Sequence, residues 1–305
     1  MTRFGVYLPN VGWEALPTPS ELVDFAVAAE EMGFDSVWVE DRLLHPRLGV
    51  LEALTTLTYV ASRTHRIRLG TSILLVNLRN PLVVAKMLAT LDYLSGGRVV
   101  LGASLGGSPD EYLAAGVAMK TRVTRFVETL RAIRAFWGEA SFEGRSSLFA
   151  SPDLVMEPSP VQSRMPVWIG GRGEPVFRRV ATLGNGWLAS STTSAEEFAR
   201  GWESIREHAA AVGRNADDLE PAKFTYIHIG DSAEEAKAVL EQRLPRYYSF
   251  PYDVAHRTLY GPPSLCVQGA QKLLDAGVKT LIFAMVGDDR NQLERVARQV
   301  LPQLT

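Results

Sequence analysis

The stretch "LATLDYLSGGRVVLGASLGG", Leu88–Gly107, reads as four pieces in a row. An amphipathic helix ends, Gly96–Gly97 stop it, "RVVLGAS" forms a short apolar strand, and a second cluster of small residues follows. Glycine just past a periodic segment stops a helix because it takes the left-handed backbone at no steric cost. A short apolar run bounded by turn residues fits a strand buried on both faces. One such unit fits any α/β protein. The fold therefore depends on whether the chain repeats it.

It does. Strands are predicted at "RFGVYLP" (Arg3–Pro9), "DSVWVED" (Asp35–Asp41), "IRLGTSILLV" (Ile67–Val76), "RVVLGAS", "MPVWIGGRG" (Met165–Gly173), "NGWLASS" (Asn185–Ser191), "AKFTYIHIG" (Ala222–Gly230) and "KTLIFAMVG" (Lys279–Gly287). A helix follows each. In "TPSELVDFAVAAEEMG" Thr18 caps, Pro19 takes the first helical position and Glu21 completes a capping box. "NPLVVAKMLATLDYLSGG" starts at Pro81, and "DRNQLERVARQVLPQL" is the last helix. Sequential β-then-α order calls for a parallel sheet with right-handed crossovers. Eight such units close into a (β/α)8 TIM barrel, one domain over residues 1–305. Insertions are expected near 105–120, 141–165 and 245–264, with Ser141–Glu157 as a β-hairpin excursion. An open doubly wound sheet is the alternative, but the dinucleotide fingerprint is missing after the first strand, which reads "LPNVGW".

Composition narrows the function. The 305 residues are 46% hydrophobic and 22% charged, with net charge −2 and a pI near 6.3. No basic run with interleaved aromatics points to nucleic acid, and no long apolar run points to a membrane. "MTRFGVYLPN" goes straight into a strand, so a cytoplasmic protein without a signal peptide is expected. Cys266 is the single cysteine, which excludes an internal disulfide and a thiolate metal cluster.

In such barrels the active site lies at the C-terminal ends of the strands. The residues collected there are Asn10; Glu40, Asp41 and Arg42; Ser72, Ile73, Asn77 and Arg79; Ser104–Gly107; Gly170, Gly171, Arg172 and Gly173; and Ser190 and Ser191. A rim rich in glycine and serine suits a large ligand held by main-chain N–H groups. "GGRGEP" stands at the start of a helix, where backbone donors and the helix dipole make a phosphate seat and Arg172 adds charge. The same glycines also serve simply as tight turns. His45 lies in the rim, four residues past Asp41. The other histidines are scattered and show no metal-ligand spacing. There is no nucleophile elbow. With neither metal cluster nor nucleophile, the chemistry points to a bound organic cofactor.

Longer segments carry a family resemblance. "IRLGTSILLVNLRNPLVVAKMLATLDYLSGGRVVLGASLGGSPDEYLAAGV" resembles the central signature of the bacterial luciferase-like flavin and deazaflavin oxidoreductases. "GFDSVWVEDR", "MPVWIGGRGEPVFRRVATLGNGWLAS", "AAAVGRNADDLEP" and "LLDAGVKTLIFAMVGDDRNQLERVARQVLPQL" agree in order, so the resemblance covers nearly the whole chain. It implies a (β/α)8 barrel, a small-molecule substrate and a homodimer. The chain length and the "AAAVGR" helix end resemble the coenzyme F420 branch; FMN with oxygen is the alternative, and a non-catalytic flavin-binding barrel a third.

The resemblance also implies site roles. The cofactor would meet Asp41, Ser72, Ile73, Ser104, Gly106, Gly170, Gly171, Arg172, Gly173, Ser190 and Ser191, with a non-proline cis peptide at Ser72–Ile73. Asp41, His45 and Glu111 are the candidate catalytic groups, Glu111 as proton donor or as a helix cap. Two positions depart from the branch. Asp41–Arg42 replaces its usual Asp-His pair, and arginine stays protonated near neutrality. Gly107 replaces the glutamate of the sugar-phosphate subgroup, which argues against that reaction. The aromatic stretch "RYYSFPYDVAHRTLYGPPS" (Arg246–Ser264) is expected to be a substrate wall or an ordinary packed loop.

Overall fold

The computed structural model describes residues 2–139, 156–287 and 289–304. The expected hairpin at Ser141–Glu157 lies almost wholly outside them. In chain order the strands are β1 (Arg3–Tyr7), β2 (Val11–Gly12), β3 (Ser36–Val39), β4 (Gly49–Val50), β5 (Arg68–Thr71), β6 (Val99–Ala103), β7 (Val167–Gly170), β8 (Gly186–Ala189), β9 (Glu220–Ile229), β10 (Thr258–Gly261) and β11 (Thr280–Met285). Eight of them run parallel in the order β1-β3-β5-β6-β7-β8-β9-β11. The sheet closes because β11 pairs with both β9 and β1. This is the (β/α)8 barrel that the sequence order predicts. The two-residue strands β2 and β4 form an antiparallel ribbon over one end.

Period-two alternation splits each strand between two cores. Val6, Val37, Val39, Leu69, Val99, Leu101 and Ile169 face the helices. Trp38, Val100, Trp168, Leu188, Ala222 and Ile282 fill the barrel. Trp38 and Trp168 stack inside it with ring centroids 5.1 Å apart. Their size explains a glycine: a Cβ on Gly70 would lie 2.2 Å from the Trp38 ring.

The helices include α1 (Pro19–Glu31), α2 (Ala53–Ala61), α3 (Pro81–Ser95), α4 (Pro109–Ala114), α5 (Arg122–Phe136), α6 (Glu174–Leu183), α7 (Ala195–Ala211), α8 (Ala233–Tyr247), α9 (Val254–Arg257), α10 (Pro263–Asp275) and α11 (Asp289–Arg295). The Thr18–Glu21 capping box starts α1, and Gly96 ends α3 in the left-handed conformation. No described helix is long and apolar enough to cross a membrane.

Three local expectations change. The third strand stops at Thr71 rather than Val76: the Ser72–Ile73 peptide is cis and Leu74 makes only an isolated bridge to Ala103. The last helix is regular only to Arg295, then widens into a π turn over Val296–Val300. Residues 246–264 are more than a loop, since they contain α9 and β10. The ten-residue β9 pairs with β8 only over Glu220–Lys223, and β10 takes up the same edge over Tyr226–Ile229. An edge left open there would expose unpaired N–H and C=O groups.

Candidate active site

The residues past β3 form a charged frame under the barrel mouth. Asp41 is 4% exposed, and both its oxygens are engaged. Arg79 clamps them at 2.7 and 2.8 Å, and the Leu75 N–H donates at 2.8 Å. Glu111 is 1% exposed. It completes a capping box with Ser108 at the start of α4 and accepts from the backbone N–H groups of Leu43 and Leu44 and from Arg42. Burial alone would raise its pKa, but these donors and the Arg42 charge outweigh it and hold it below the usual carboxylate range. Glu111 is thus an ionised cap that fixes the 41–44 turn. His45 accepts at Nδ1 from Leu48 N–H and meets the Tyr247 carbonyl through Nε2, while its ring stacks on Tyr247. Burial, the largest influence, lowers its pKa. In the structure all three candidate catalytic groups are bound up in the frame.

The predicted cofactor residues form two neighbouring groups. Ile73, Ser104, Gly106 and Gly170 pack against one another: a Cβ on Gly170 would sit 2.9 Å from Ile73 and 3.2 Å from Ser104, and one on Gly106 3.0 Å from Ile73. Ser72 is held by the Tyr7 hydroxyl, which donates to its carbonyl at 3.0 Å and also meets its Oγ. Gly170, Gly171, Arg172 and Gly173 lead into α6. Its N-cap, Gly173, has φ 85°, no side-chain cap, and open space where a Cβ would stand. By contrast, Ser194 and Glu197 cap α7 reciprocally.

The second group centres on Ser190 and Ser191, which follow β8. Their carbonyls receive the Lys223 ammonium, at 2.8 Å for Ser190. Lys223 is 1% exposed, and burial pulls its pKa down to about 7. Arg257 stands nearby, paired with Glu197 at 2.6 Å.

Sequence reasoning collected Glu40 in the rim but gave it no role. The structure does. Glu40 is 6% exposed and its Oε2 has no hydrogen-bond partner. Its Oε1 lies 3.4 Å from the Tyr226 hydroxyl, which lies 3.0 Å from the Tyr248 hydroxyl. Burial pushes the Glu40 carboxyl up to about 7, against the opposing pull of the Tyr247 and Tyr226 hydroxyls and the Arg42 charge. Tyr226 and Lys223 were also missed. The signal was a lysine inside the apolar strand "AKFTYIHIG", since lysine is almost never fully buried without partners. In the aromatic stretch Tyr248 and Tyr252 pack against Tyr226 and each other, and Tyr247 packs on Tyr248. Among the described residues no cluster of three or more His, Cys, Asp or Glu side chains could hold a metal ion.

Comparison with known proteins identifies the family. The sequence profile of the luciferase-like monooxygenase family matches residues 2–301. The F420-dependent glucose-6-phosphate dehydrogenase of Amycolatopsis mediterranei (strain U-32) is 29% identical over 94% of this chain and 95% of that protein. That of Segniliparus rotundus is 33% identical over 68% and 65%. An F420-dependent secondary alcohol dehydrogenase, solved with an F420-acetone adduct, superposes with a TM-score of 0.86 at 18% identity, covering 100% of this chain and 99% of that one. A monooxygenase from Streptomyces bottropensis gives 0.83 at 22%, covering 98% and 99%. At these identities the solved structures show the shared barrel alone. The profile match over nearly the whole length establishes that this chain belongs to the luciferase-like monooxygenase family.

Proposed function

We propose that the protein is a coenzyme F420-dependent oxidoreductase that moves a hydride between the deazaflavin and a small carbonyl, enone or imine substrate. Relatives that match almost end to end are named as F420-dependent dehydrogenases, which supports this reading. The observation that carries it is the start of α6. Gly173 leaves the helix N-terminus without a side-chain cap, beside exposed Arg172. An anionic tail fits there, because the positive end of the helix dipole and the Arg172 charge face it. The ring would lie against Ser72–Ile73, Ser104 and Gly106, the group that leads to this seat.

When bound, the deazaflavin would supply or accept the hydride. The chain's part is orientation, exclusion of water and proton handling. Asp41, Glu111 and His45 would then act as positioning residues: through Arg79, Arg42 and Tyr247 they fix the turns that shape the mouth. Tyr247, Tyr248 and Tyr252 would form the apolar wall over the substrate. Gly107 stands where the resemblance implies a glutamate in the sugar-phosphate subgroup, so carbonyl or enone substrates are favoured over sugar phosphates despite the relatives' names.

Arg172→Glu tests the anion seat without disturbing the core. F420 titration followed by fluorescence should show affinity falling about tenfold or more, the effect of reversing one charge at a phosphate site. Unchanged affinity would remove the tail from α6.

A further inference from the structure

We propose that Glu40 is the proton-holding group of the barrel mouth, delivering a proton to the substrate through Tyr226 and Tyr248 and exchanging it with solvent on the opposite side. The inference rests on the oxidoreductase reading above, and it concerns this chain's own residues.

The delivery side is a continuous line of hydroxyls. Glu40 Oε1 to Tyr226 Oη is 3.4 Å, Tyr226 Oη to Tyr248 Oη is 3.0 Å, and Tyr248 Oη to Ser191 Oγ is 3.4 Å. It starts at a buried carboxyl and ends at Ser191, which the family resemblance implies for the cofactor. The three groups come from β3, β9 and the end of α8, so the fold must be complete for the line to exist.

The exchange side is a cavity of about 20 Å³ lined by Glu40, Tyr7, Trp13, Tyr226 and Met285 among others. That is room for one water, which needs roughly 10–15 Å³ and at least two polar partners. The cavity shares Pro9, Val11, Trp13 and Asp289 with a surface groove of about 930 Å³ that runs along α1 and reaches Arg243 and Arg290. The two spaces are neighbours, with Glu40 lining the inner one. A proton can thus enter without crossing the side where hydride transfer needs a dry mouth.

Burial favours the protonated Glu40 carboxyl and the groups facing it favour the carboxylate, a balance that lets Glu40 hold or release a proton near neutrality. Tyr7 on β1, Tyr226 on β9 and Tyr247 and Tyr248 at the end of α8 are all held above the usual phenol range, first by burial and then by Glu40 or each other, so none ionises. Arg42 is the cation on this side, paired with Glu111, and Asp289 on α11 lines the cavity. The step balances. With the reduced cofactor bound to supply a hydride to a carbonyl carbon, the carbonyl oxygen would take the Tyr248 proton. Tyr248 is refilled by Tyr226, Tyr226 by the Glu40 acid, and the carboxylate by a proton from the groove. Alcohol oxidation runs the same line backwards, with the Glu40 carboxylate as acceptor. Glu40 acts through the tyrosines and is therefore a positioning and relay residue.

Two readouts test this. In cofactor-free protein carrying ¹³C-carboxyl glutamate, NMR should show one side-chain carboxyl titrating near pH 7. Glu40→Gln should delete that signal, and Tyr226→Phe should move it upward. In protein loaded with reduced F420, with acetone and 2-cyclohexenone as acceptors, Glu40→Gln should lower kcat about 100-fold, within the usual range for an acid–base group. F420 affinity and KM should hold, and the pH inflection should vanish. Glu40→Asp should restore part of the rate. Tyr248→Phe, at a less buried position, should give the same kcat loss if Glu40→Gln fails to fold. A wild type with no carboxyl titrating above pH 6, or variants that keep kcat and its pH profile, would overturn the proposal alone. A wild type that fails to bind F420, or binds it and turns over neither acceptor, would instead overturn the functional reading.

Discussion

Glu40 and Lys223 are ionisable side chains almost without water, and they pull stability in opposite directions. The Glu40 carboxyl is raised to about 7, first by burial. Between its unfolded value, about 4.3, and 7 the folded state holds a proton that the unfolded chain has lost, so stability falls as pH rises. Lys223 is lowered to about 7, again first by burial. Between 7 and its unfolded value, about 10.4, the unfolded chain holds the extra proton, so stability rises with pH. Together they place a shallow minimum near pH 7. Urea unfolding across pH 5–9 should show it, and Glu40→Gln should raise stability at pH 8 by about 2 kcal/mol, discounting the full shift for relaxation around a buried group. A flat profile in both proteins would mean that water reaches Glu40.

Scale matters to what the sequence could reveal. Capping residues act locally, so the Thr18–Glu21 box and the Asn80–Pro81 start of α3 were legible from spacing alone. Glu111 shows the limit. Its spacing from Ser108 matched both a cap and a proton donor; the local box makes it a cap, and the turn after β3, whose three donors bind the same carboxylate, was invisible in the sequence. The stop of the third strand at Thr71 and the pairing of β10 with β9 were likewise invisible, since each depends on a neighbour distant in sequence.

At the element scale α3 carries a further consequence. Its inner face is buried, yet Val83, Met87 and Leu94 line the outer face, flanked by Leu82 and Tyr93, with Tyr59 exposed on α2. Several exposed apolar side chains on one helix suit an interaction surface. We propose that it joins two copies of this chain, as the family resemblance implies. Met87→Glu should convert a dimer to a monomer in sedimentation velocity without loss of folding. A wild type that sediments as a monomer would contradict this.

For the whole molecule, the barrel could be read because parallel strands buried on both faces leave a plain periodic record, and short glycine-rich rims follow them. The proposed functional pole was read from the same record. Which rim groups point inward was not, because one residue of alternation decides it. That is how Asp41 came to stand in the frame while its neighbour Glu40 faces the mouth.

The central claim, an F420-dependent enzyme built on this barrel, is tested most directly by titrating the purified protein with oxidised F420 and, in parallel, with FMN, each followed by fluorescence. Saturable micromolar binding of F420 with FMN ignored is the predicted result; preferential binding of FMN, or of neither, would contradict it.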